Sequence, residues 1–279
     1  MTVRIVTDST CDLPPALAAE HGITVVPLTV IFGDEALEDG AAITPVDFYQ
    51  RLRSSNVLPR TSQPSVERFQ QAYRAAAADG AEIVSIHISS KLSGTLNSAS
   101  VARETLKHDL HIDLIDSYNV SVGLGLIVLE AARAAAAGAS LSDVVAVTRR
   151  AMDRVTVYVA VDTLEYLQRG GRIGRARSLI GSILSIKPIL TVDQGEVAPF
   201  ERVRTRARAH ERILELAAGM PRAKEMFIAH GDLPAEAEAA IERLRPQLPH
   251  TALHAAYLGP VVGTYTGPGA FGVAALARE

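Results

Sequence analysis

The stretch EIVSIHISSKLSGTLNSASVARETLK, residues 82–107, contains the pattern of a strand, a turn and a helix. Residues 82–88 are rich in β-branched side chains, which is typical of a strand. Residues 95–107 carry a helical pattern, and a segment rich in hydroxyl groups joins the two. Short β-rich runs alternate with helical patterns along the whole first half of the chain. This alternation predicts an α/β fold with a parallel sheet.

The second half of the chain has a different pattern. Asp193, Gln194 and Gly195 form a hairpin turn signal between two β-rich runs, 189–192 and 197–203, which predicts antiparallel pairing. We therefore predict two packed domains: an N-terminal α/β domain with a parallel sheet over residues 1–155, and a C-terminal α/β domain with a mixed or antiparallel sheet over residues 156–279.

The remaining elements follow from the same patterns. Further strands are predicted at 3–7, 23–30, 111–115, 155–161, 225–228 and 253–258. Further helices are predicted near 14, 45 and 65, and at 122–137, 141–152, 164–169, 175–182, 205–218 and 234–245. The segment 259–272 holds five glycines, which is too many for an ordinary strand and favours close approach of the backbone to a ligand or another segment.

Composition excludes several classes of protein. The chain has 279 residues and balances 28 Lys and Arg against 31 Asp and Glu, which argues against a nucleic-acid partner. Its one cysteine, Cys11, excludes a disulfide framework and a cysteine-based zinc site, although its place just beyond a strand leaves room for exposure. No apolar run approaches the roughly 20 residues that span a bilayer, and a strand at Val3 leaves no room for a signal peptide. We expect a cytoplasmic protein without an integral membrane segment.

The common catalytic signatures are absent from the sequence. It contains no G-x-x-x-x-G-K-[ST], no G-x-S-x-G and no H-E-x-x-H motif. The eight histidines are scattered without ligand spacing, and His87, inside a predicted strand, is most simply a core residue. We expect no metal, no cofactor and no catalytic residue.

Three turns rich in hydroxyl groups remain as candidate sites. They are residues 89–95, the pair Thr61 and Ser62, and residues 8–10, which we expect at strand-to-helix junctions of one sheet. Ligands bind at the carboxyl ends of parallel strands, and helix N-termini favour anions. The alternative is that Ser93 and Thr61 only cap the helices that follow them.

Arginines form two clusters, for which we keep two explanations. Solvated helix faces explain most of these charges, and a surface for an anionic ligand or an acidic partner is the alternative. The clusters are Arg169, Arg172, Arg175 and Arg177, and Arg202, Arg204, Arg206 and Arg208.

An ordered set of short motifs resembles the DegV family of bacterial fatty-acid-binding proteins over essentially the whole chain. The motifs are VTDST at 6–10, TSQPS at 61–65, SSKLSGT at 89–95, LQRGGRI at 167–173, KP at 187–188, VRT at 203–205 and GPG at 267–269. The resemblance implies two α/β domains with a long-chain fatty acid between them. It also implies that Thr61 and Ser93 hold the carboxylate, and that a separate fatty acid kinase phosphorylates the bound acid.

The resemblance extends to residues around this head group. Ser62, Gly94 and Thr264 are expected neighbours, and Tyr265 stands where the family usually has a histidine, which puts handover to a kinase in question. Arg169 and Arg204 match family positions that border the opening, and Arg172 and Arg202 are close to them in sequence. We expect these four arginines to form a cationic rim that engages the kinase and the transferred phosphoryl group.

We conclude from the sequence that the protein carries a palmitate-like fatty acid and breaks no bond itself. The alternative is a small-molecule enzyme that acts on a phosphorylated substrate at the sheet edge, which requires a polar, water-accessible pocket, whereas a lipid carrier requires a closed apolar one. Nucleic-acid binding by the arginines between 169 and 177 is the least favoured alternative. Apolar residues that could line the tail, or form ordinary core, are Leu179, Ile180, Ile183, Leu184, Ile186, Ile189 and Leu190.

Overall fold

The computed structural model describes residues 2–55, 57–180 and 186–279. Its strands are β1 (Val3–Asp8), β2 (Thr24–Val26), β3 (Thr29–Phe32), β4 (Glu35–Glu38), β5 (Arg60–Ser62), β6 (Glu82–His87), β7 (Ile112–Asp116), β8 (Val155–Ala160), β9 (Lys187–Asp193), β10 (Glu196–Val203), β11 (Ala223–His230), β12 (Ala252–Tyr257) and β13 (Phe271–Ala277). Its helices are α1 (Pro15–Glu20), α2 (Pro45–Ser54), α3 (Val66–Ala76), α4 (Thr95–Leu106), α5 (Val122–Ala136), α6 (Leu141–Met152), α7 (Glu165–Arg169), α8 (Arg206–Ala218), α9 (Pro234–Leu244) and α10 (Pro260–Thr266).

The N-terminal half contains the predicted parallel sheet. Its strands lie in the order β2-β1-β6-β7, and every neighbouring pair is parallel. A 3-10 turn, Ser9–Cys11, follows β1, and the turn 88–94 joins β6 to α4. Two of the three hydroxyl-rich turns therefore lie at the carboxyl edge of this sheet.

The C-terminal half contains a mixed sheet, in the order β10-β9-β8-β13-β11-β12. Its pairs are antiparallel except β11 with β12, and β9 and β10 form the predicted hairpin. The predicted fold class, a parallel-sheet α/β domain packed on an α/β domain with a mixed sheet, is confirmed.

A small antiparallel sheet, β4-β3-β5, was not expected from the sequence. The run 23–30, predicted as one strand, is divided between β2 and β3 because Pro27 fixes its own φ and has no N–H for the ladder. Thr61 lies in β5, paired with Val30, so the prediction that all three hydroxyl turns come from one sheet is wrong. The head-group candidates instead come from two different sheets.

Helix α5 packs between the two large sheets. Its residues 122–132 are all buried, and it contacts β1 on one side and β8, β11 and β13 on the other. One continuous core joins residues of both halves, such as Val84 of β6 and Ala274 of β13. The boundary at 155/156 stays a prediction. No helix among the described residues is both long enough and apolar enough to cross a bilayer.

The glycine-rich segment 259–272 contains a helix, α10, and its Gly263 lies against the Tyr49 and Phe48 rings, where a Cβ would not fit, which is the close approach of the backbone that the sequence predicted. Two local predictions need correction. The helix predicted at 175–182 is a 3-10 helix over Gly174–Leu179, and the end of the prediction lies outside the described residues. Cys11 is buried, at 2% exposure, rather than accessible.

Candidate functional site

A cavity of about 80 Å3 lies where the small sheet, the carboxyl edge of the parallel sheet and helix α10 meet. We call it the head compartment. Its apolar wall includes Leu28, Leu92 and Val261. Its polar wall consists of Thr10, Thr61, Ser93, Arg172, Tyr265 and Thr266. The structure thus brings together Thr61 and Ser93, which the sequence analysis selected, with Tyr265 and Arg172.

Thr61 and Tyr265 form one hydroxyl pair. The Tyr265 hydroxyl oxygen lies 2.6 Å from Oγ1 of Thr61, and either group can donate. The Tyr265 ring lies against Gly170, where a Cβ would overlap it, and the Arg172 guanidinium lies 5.1 Å from the ring centroid. The Gly170-Gly171 pair therefore does more than end a helix, because Gly170 makes room for the ring.

Ser93 precedes the N-cap of α4, which is Gly94, so it is not the side-chain cap that the sequence offered as the alternative. Its Oγ accepts the Thr95 N–H at 3.3 Å in a short-range contact before the helix. The same Oγ lies 2.9 Å from Oγ1 of the fully buried Thr95. When Thr95 donates in that bond, the Ser93 O–H can point into the head compartment.

A second cavity, of about 70 Å3, continues from the head compartment into the protein; we call it the tail compartment. It lies between α5 and the mixed sheet, whose Val157, Leu190 and Val273 line it. Almost all of its wall is apolar. The two compartments share a wall made of Val120, Leu167, Val197, Val262 and Thr266. A chamber with hydroxyl groups in part of its wall therefore adjoins one that is almost wholly apolar.

Three expected head-group neighbours do not line the head compartment. Ser62 is exposed, and its hydroxyl donates to the Gln63 carbonyl oxygen at 3.3 Å. Gly94 lies against the Gln63 side chain, so it makes room for that side chain rather than for a ligand. The hydroxyl of Thr264 is buried and donates to the Pro260 carbonyl at 2.9 Å.

Of the four predicted rim arginines, Arg172 reaches the compartment. Its Nε donates to the Leu92 carbonyl at 3.1 Å, which fixes the guanidinium at the wall. Arg169 is exposed and pairs with Glu165 at 2.7 Å. Arg202 and Arg204 are exposed at the end of β10 and just beyond it, outside the described lining.

The residues predicted to line the acyl tail lie in different parts of the structure. Leu190 lines the tail compartment, whereas its neighbour Ile189 packs in the core on the opposite face of the mixed sheet. Ile180 is 42% exposed. Ile183 and Leu184 lie outside the described residues.

A buried hydrogen-bond chain supports the Thr10 side of the head compartment, which sequence reasoning did not assign. Asp8 accepts from the Thr10 hydroxyl at 2.5 Å and lies 2.9 Å from Nδ1 of His87, whose Nε2 lies 2.7 Å from the Ser85 hydroxyl. Tyr73 contacts that hydroxyl at 2.9 Å. All five side chains are 0% exposed, so this Ser–His–Asp order is sealed from any substrate. His87 is a core residue, as predicted, and the chain orients Thr10.

The described residues contain no group of three or more His, Cys, Asp or Glu side chains placed to hold a metal ion. The polar side chains among the described residues that line the head compartment are five hydroxyl groups and one guanidinium.

Fold and cavities together define an α/β protein with two large sheets, a small antiparallel sheet and two adjoining interior compartments. The chain belongs to the DegV family, because the family model described as "Uncharacterised protein, DegV family" matches residues 2–278. A DegV domain-containing protein of Streptomyces coelicolor is 41% identical over 280 residues, covering 99% of each chain.

Solved structures agree with this assignment. A DegV family protein from Thermus thermophilus, described with fatty acid binding, is 36% identical and superposes with a TM-score of 0.90 over 100% of both chains. DegV from Bacillus subtilis, described as a fatty acid binding protein, is 34% identical, also with a TM-score of 0.90 over 100% of both chains.

Proposed function

We propose that the protein binds a long-chain fatty acid, with its carboxylate in the head compartment and its acyl chain in the tail compartment. The observation that carries this proposal is the shared wall between a chamber lined by hydroxyl groups and a chamber lined almost wholly by apolar side chains. The fatty acid binding described for the Thermus thermophilus and Bacillus subtilis relatives supports it.

The hydroxyl groups can supply donors to a carboxylate without a charged clamp. One O–H of the Thr61 and Tyr265 pair is used between them, and the other is left to donate. The Ser93 O–H supplies a second donor when Thr95 donates to its oxygen. Hydrogen bonds to a charged acceptor are about twice as strong as neutral ones, so two such donors fix the carboxylate. Arg172 adds positive charge at the same wall.

The acyl chain supplies most of the binding free energy. A palmitoyl tail of about fourteen methylenes gains on the order of 11 kcal/mol at roughly 0.8 kcal/mol per buried group, before the costs of association. Neither compartment reaches the roughly 300 Å3 of a typical small ligand pocket. We therefore expect Val and Leu side chains of the lining to move apart when the tail enters.

The character of the cavity argues against the alternative function. An enzyme acting on a phosphorylated substrate needs a polar, water-accessible pocket with counter-charges for the phosphate. The tail compartment offers valine, leucine and alanine side chains, and Arg172 is the one arginine among the described lining residues. This lining favours a lipid carrier.

We also propose that the carboxylate is presented to a separate fatty acid kinase in the cytoplasm. The hydroxyl groups lie on loops and on an edge strand near the surface, and Arg169 is exposed beside the compartment's Arg172. A cationic rim would attract the kinase and its nucleotide, and it would leave binding of the tail unchanged.

Mass spectrometry tests the proposal. Denaturation of the purified protein should release a C14–C18 fatty acid near one equivalent per chain, and delipidated protein should take up added palmitate. Recovery of no such acid, together with no palmitate uptake, would reject the function.

A further inference from the structure

A third and larger cavity lies on the other side of the Ser9–Cys11 turn from the head compartment. It is an open cleft of about 600 Å3, and it shares no described lining residue with either compartment. It lies at the carboxyl ends of two parallel strand pairs, β1 with β2 and β11 with β12. Open α/β sheets characteristically bind ligands in this position. We call it the acidic cleft, for the residues of its floor.

Two aspartates form the polar floor of the acidic cleft, and they differ in one respect. Both oxygens of Asp12 are occupied, by the Gly259 N–H at 3.0 Å and by the Ser121 hydroxyl at 2.5 Å. Asp39 is only 7% exposed; the Ser9 hydroxyl hydrogen-bonds its carboxyl group, but the buried Oδ2 has no hydrogen-bond partner among the described residues. A buried acceptor without a donor is unfavourable and rare in folded proteins. Asp39 therefore points to a ligand that brings an N–H or O–H group.

The charges around the acidic cleft favour a ligand with positive charge. Glu238 stands at the exposed rim, and the described lining contains no lysine or arginine. Burial lowers the pKa of His230 to about 4, so this ring is neutral near pH 7, and its Nδ1 accepts the Leu233 N–H at 3.1 Å. An anion would find no counter-charge here, whereas a cation would meet Asp39 and Glu238.

The walls of the acidic cleft are apolar and poor in donors. Proline has no backbone N–H, so the prolines of these walls add no donor to the Ser9 hydroxyl, which hydrogen-bonds the Asp39 carboxyl group. Val25, an apolar side chain at the same cleft, is 37% exposed. The prolines of the wall are Pro14, Pro15, Pro27, Pro45, Pro234 and Pro260.

We propose that the acidic cleft is a second ligand site, which binds an organic ammonium ion through the carboxylate of Asp39 and packs its apolar body against the prolines. Burial raises the pKa of the Asp39 carboxyl to about 7, so an arriving cation would also stabilise its ionised form. This site is independent of the fatty acid site, whose hydroxyl groups and apolar lining it does not use.

Titration calorimetry with three isosteric probes tests the proposal on the intact protein. The probes are benzylamine, which is cationic, benzyl alcohol, which is neutral, and benzoate, which is anionic. Benzylamine should bind saturably with one equivalent per chain, and at least tenfold more tightly than either of the other probes. Asp39→Asn removes the charge without changing the shape of the side chain, and it should weaken benzylamine binding at least tenfold.

Two further variants complete the test. Ala41→Arg places a competing cation at the exposed rim, and it should weaken benzylamine binding to a similar extent. This variant leaves Asp39 in place, so it tests the site separately if Asp39→Asn disturbs folding. Asp34→Asn, an exposed acid in the neighbouring β3–β4 turn, should leave binding unchanged. Palmitate affinity should be the same in all of these proteins.

Three results would overturn the proposal. They are no saturable benzylamine binding at millimolar concentration, equal binding of benzyl alcohol or benzoate, and full benzylamine affinity in Ala41→Arg. None of these results bears on the fatty acid site, which is measured separately with palmitate.

Discussion

The Tyr265 hydroxyl oxygen lies 2.6 Å from Oγ1 of Thr61, across 204 positions of sequence. The contact joins α10 of the C-terminal half to β5 of the small N-terminal sheet. One O–H of the pair is used in this contact, and the other can donate to a ligand. The hydroxyl of Ser93 lines the same compartment. The proposed carboxylate site is therefore assembled from both halves of the chain.

Removal of one hydroxyl should weaken fatty acid binding. Thr61→Ala and Ser93→Ala should each lower palmitate affinity by roughly 1–3 kcal/mol, because a charged acceptor loses a donor. Titration of delipidated protein with palmitate measures the change. Ser62→Ala is the matched control, since that hydroxyl is exposed and outside the compartment. Unchanged affinity in the Thr61→Ala, Ser93→Ala double variant would reject the assignment.

Tyr265→Phe should have a smaller effect than Thr61→Ala. The phenylalanine ring keeps the packing against Gly170 and Arg172, and the Thr61 O–H becomes free to donate to the carboxylate. The same palmitate titration compares the two variants. A larger loss in Tyr265→Phe than in Thr61→Ala would mean that the tyrosine, rather than the threonine, is the principal donor.

A larger side chain on β10 should block the passage between the two compartments. Val197 is half-buried on this edge strand and lines both compartments, so Val197→Trp should obstruct passage of the tail. We expect a large loss of palmitate affinity and a smaller loss for octanoate, whose chain extends less far. Phe200→Trp, on an exposed position of the same strand, should bind both acids normally. Equal losses for the two acids would contradict a continuous chamber.

The rim arginines should act on phosphorylation rather than on binding. Arg169→Ala and Arg204→Ala should slow phosphorylation of the bound acid by a cognate fatty acid kinase, most clearly at low salt, and should leave palmitate affinity unchanged. Arg245→Ala removes an exposed charge beyond α9 and serves as the control. Wild-type rates in both rim variants would remove these arginines from the mechanism. A Tyr265→His variant in the same assay would show whether the family's usual histidine improves handover.

Asp39→Asn should change the dependence of stability on pH. Burial raises the Asp39 pKa from 3.8 to about 7, so between these values the folded chain holds a proton that the unfolded chain has released. Raising the pH through this window therefore lowers the free energy of unfolding of the wild type through this group. Asparagine does not titrate. The melting temperature of the variant minus that of wild type should therefore be larger at about pH 8 than at about pH 5. An equal difference at the two pH values would contradict the raised pKa of Asp39.

Local patterns predicted much of the fold. The β-rich runs and helical spacings located β6, α4, α5 and the β9–β10 hairpin, because alternation, apolar periodicity and turn residues act over short distances. The division of 23–30 into β2 and β3 was missed, since a run of β-formers hides a change of sheet at Pro27. Helix α10 was missed because glycine lowers helix propensity, and its glycines are explained only by the rings packed against them.

The candidate sites differ in how far the sequence could reveal them. Thr61 and Ser93 were selected from their motifs, and the structure places both in one compartment. Ser62 and Thr264 were expected beside them, but their hydroxyl groups donate to the backbone carbonyl groups of Gln63 and Pro260. The acidic cleft joins Asp12, Asp39 and His230 from distant parts of the chain. No short motif carries that arrangement.

A crystal structure of the protein with palmitate is the decisive test of the proposed fatty acid site. The carboxylate oxygens should lie within hydrogen-bond distance of Thr61 Oγ1 and Ser93 Oγ, and the acyl chain should pass Val197 and Val262 towards Leu190. A carboxylate bound elsewhere, or an acyl chain lying in the acidic cleft beside Asp39, would contradict it.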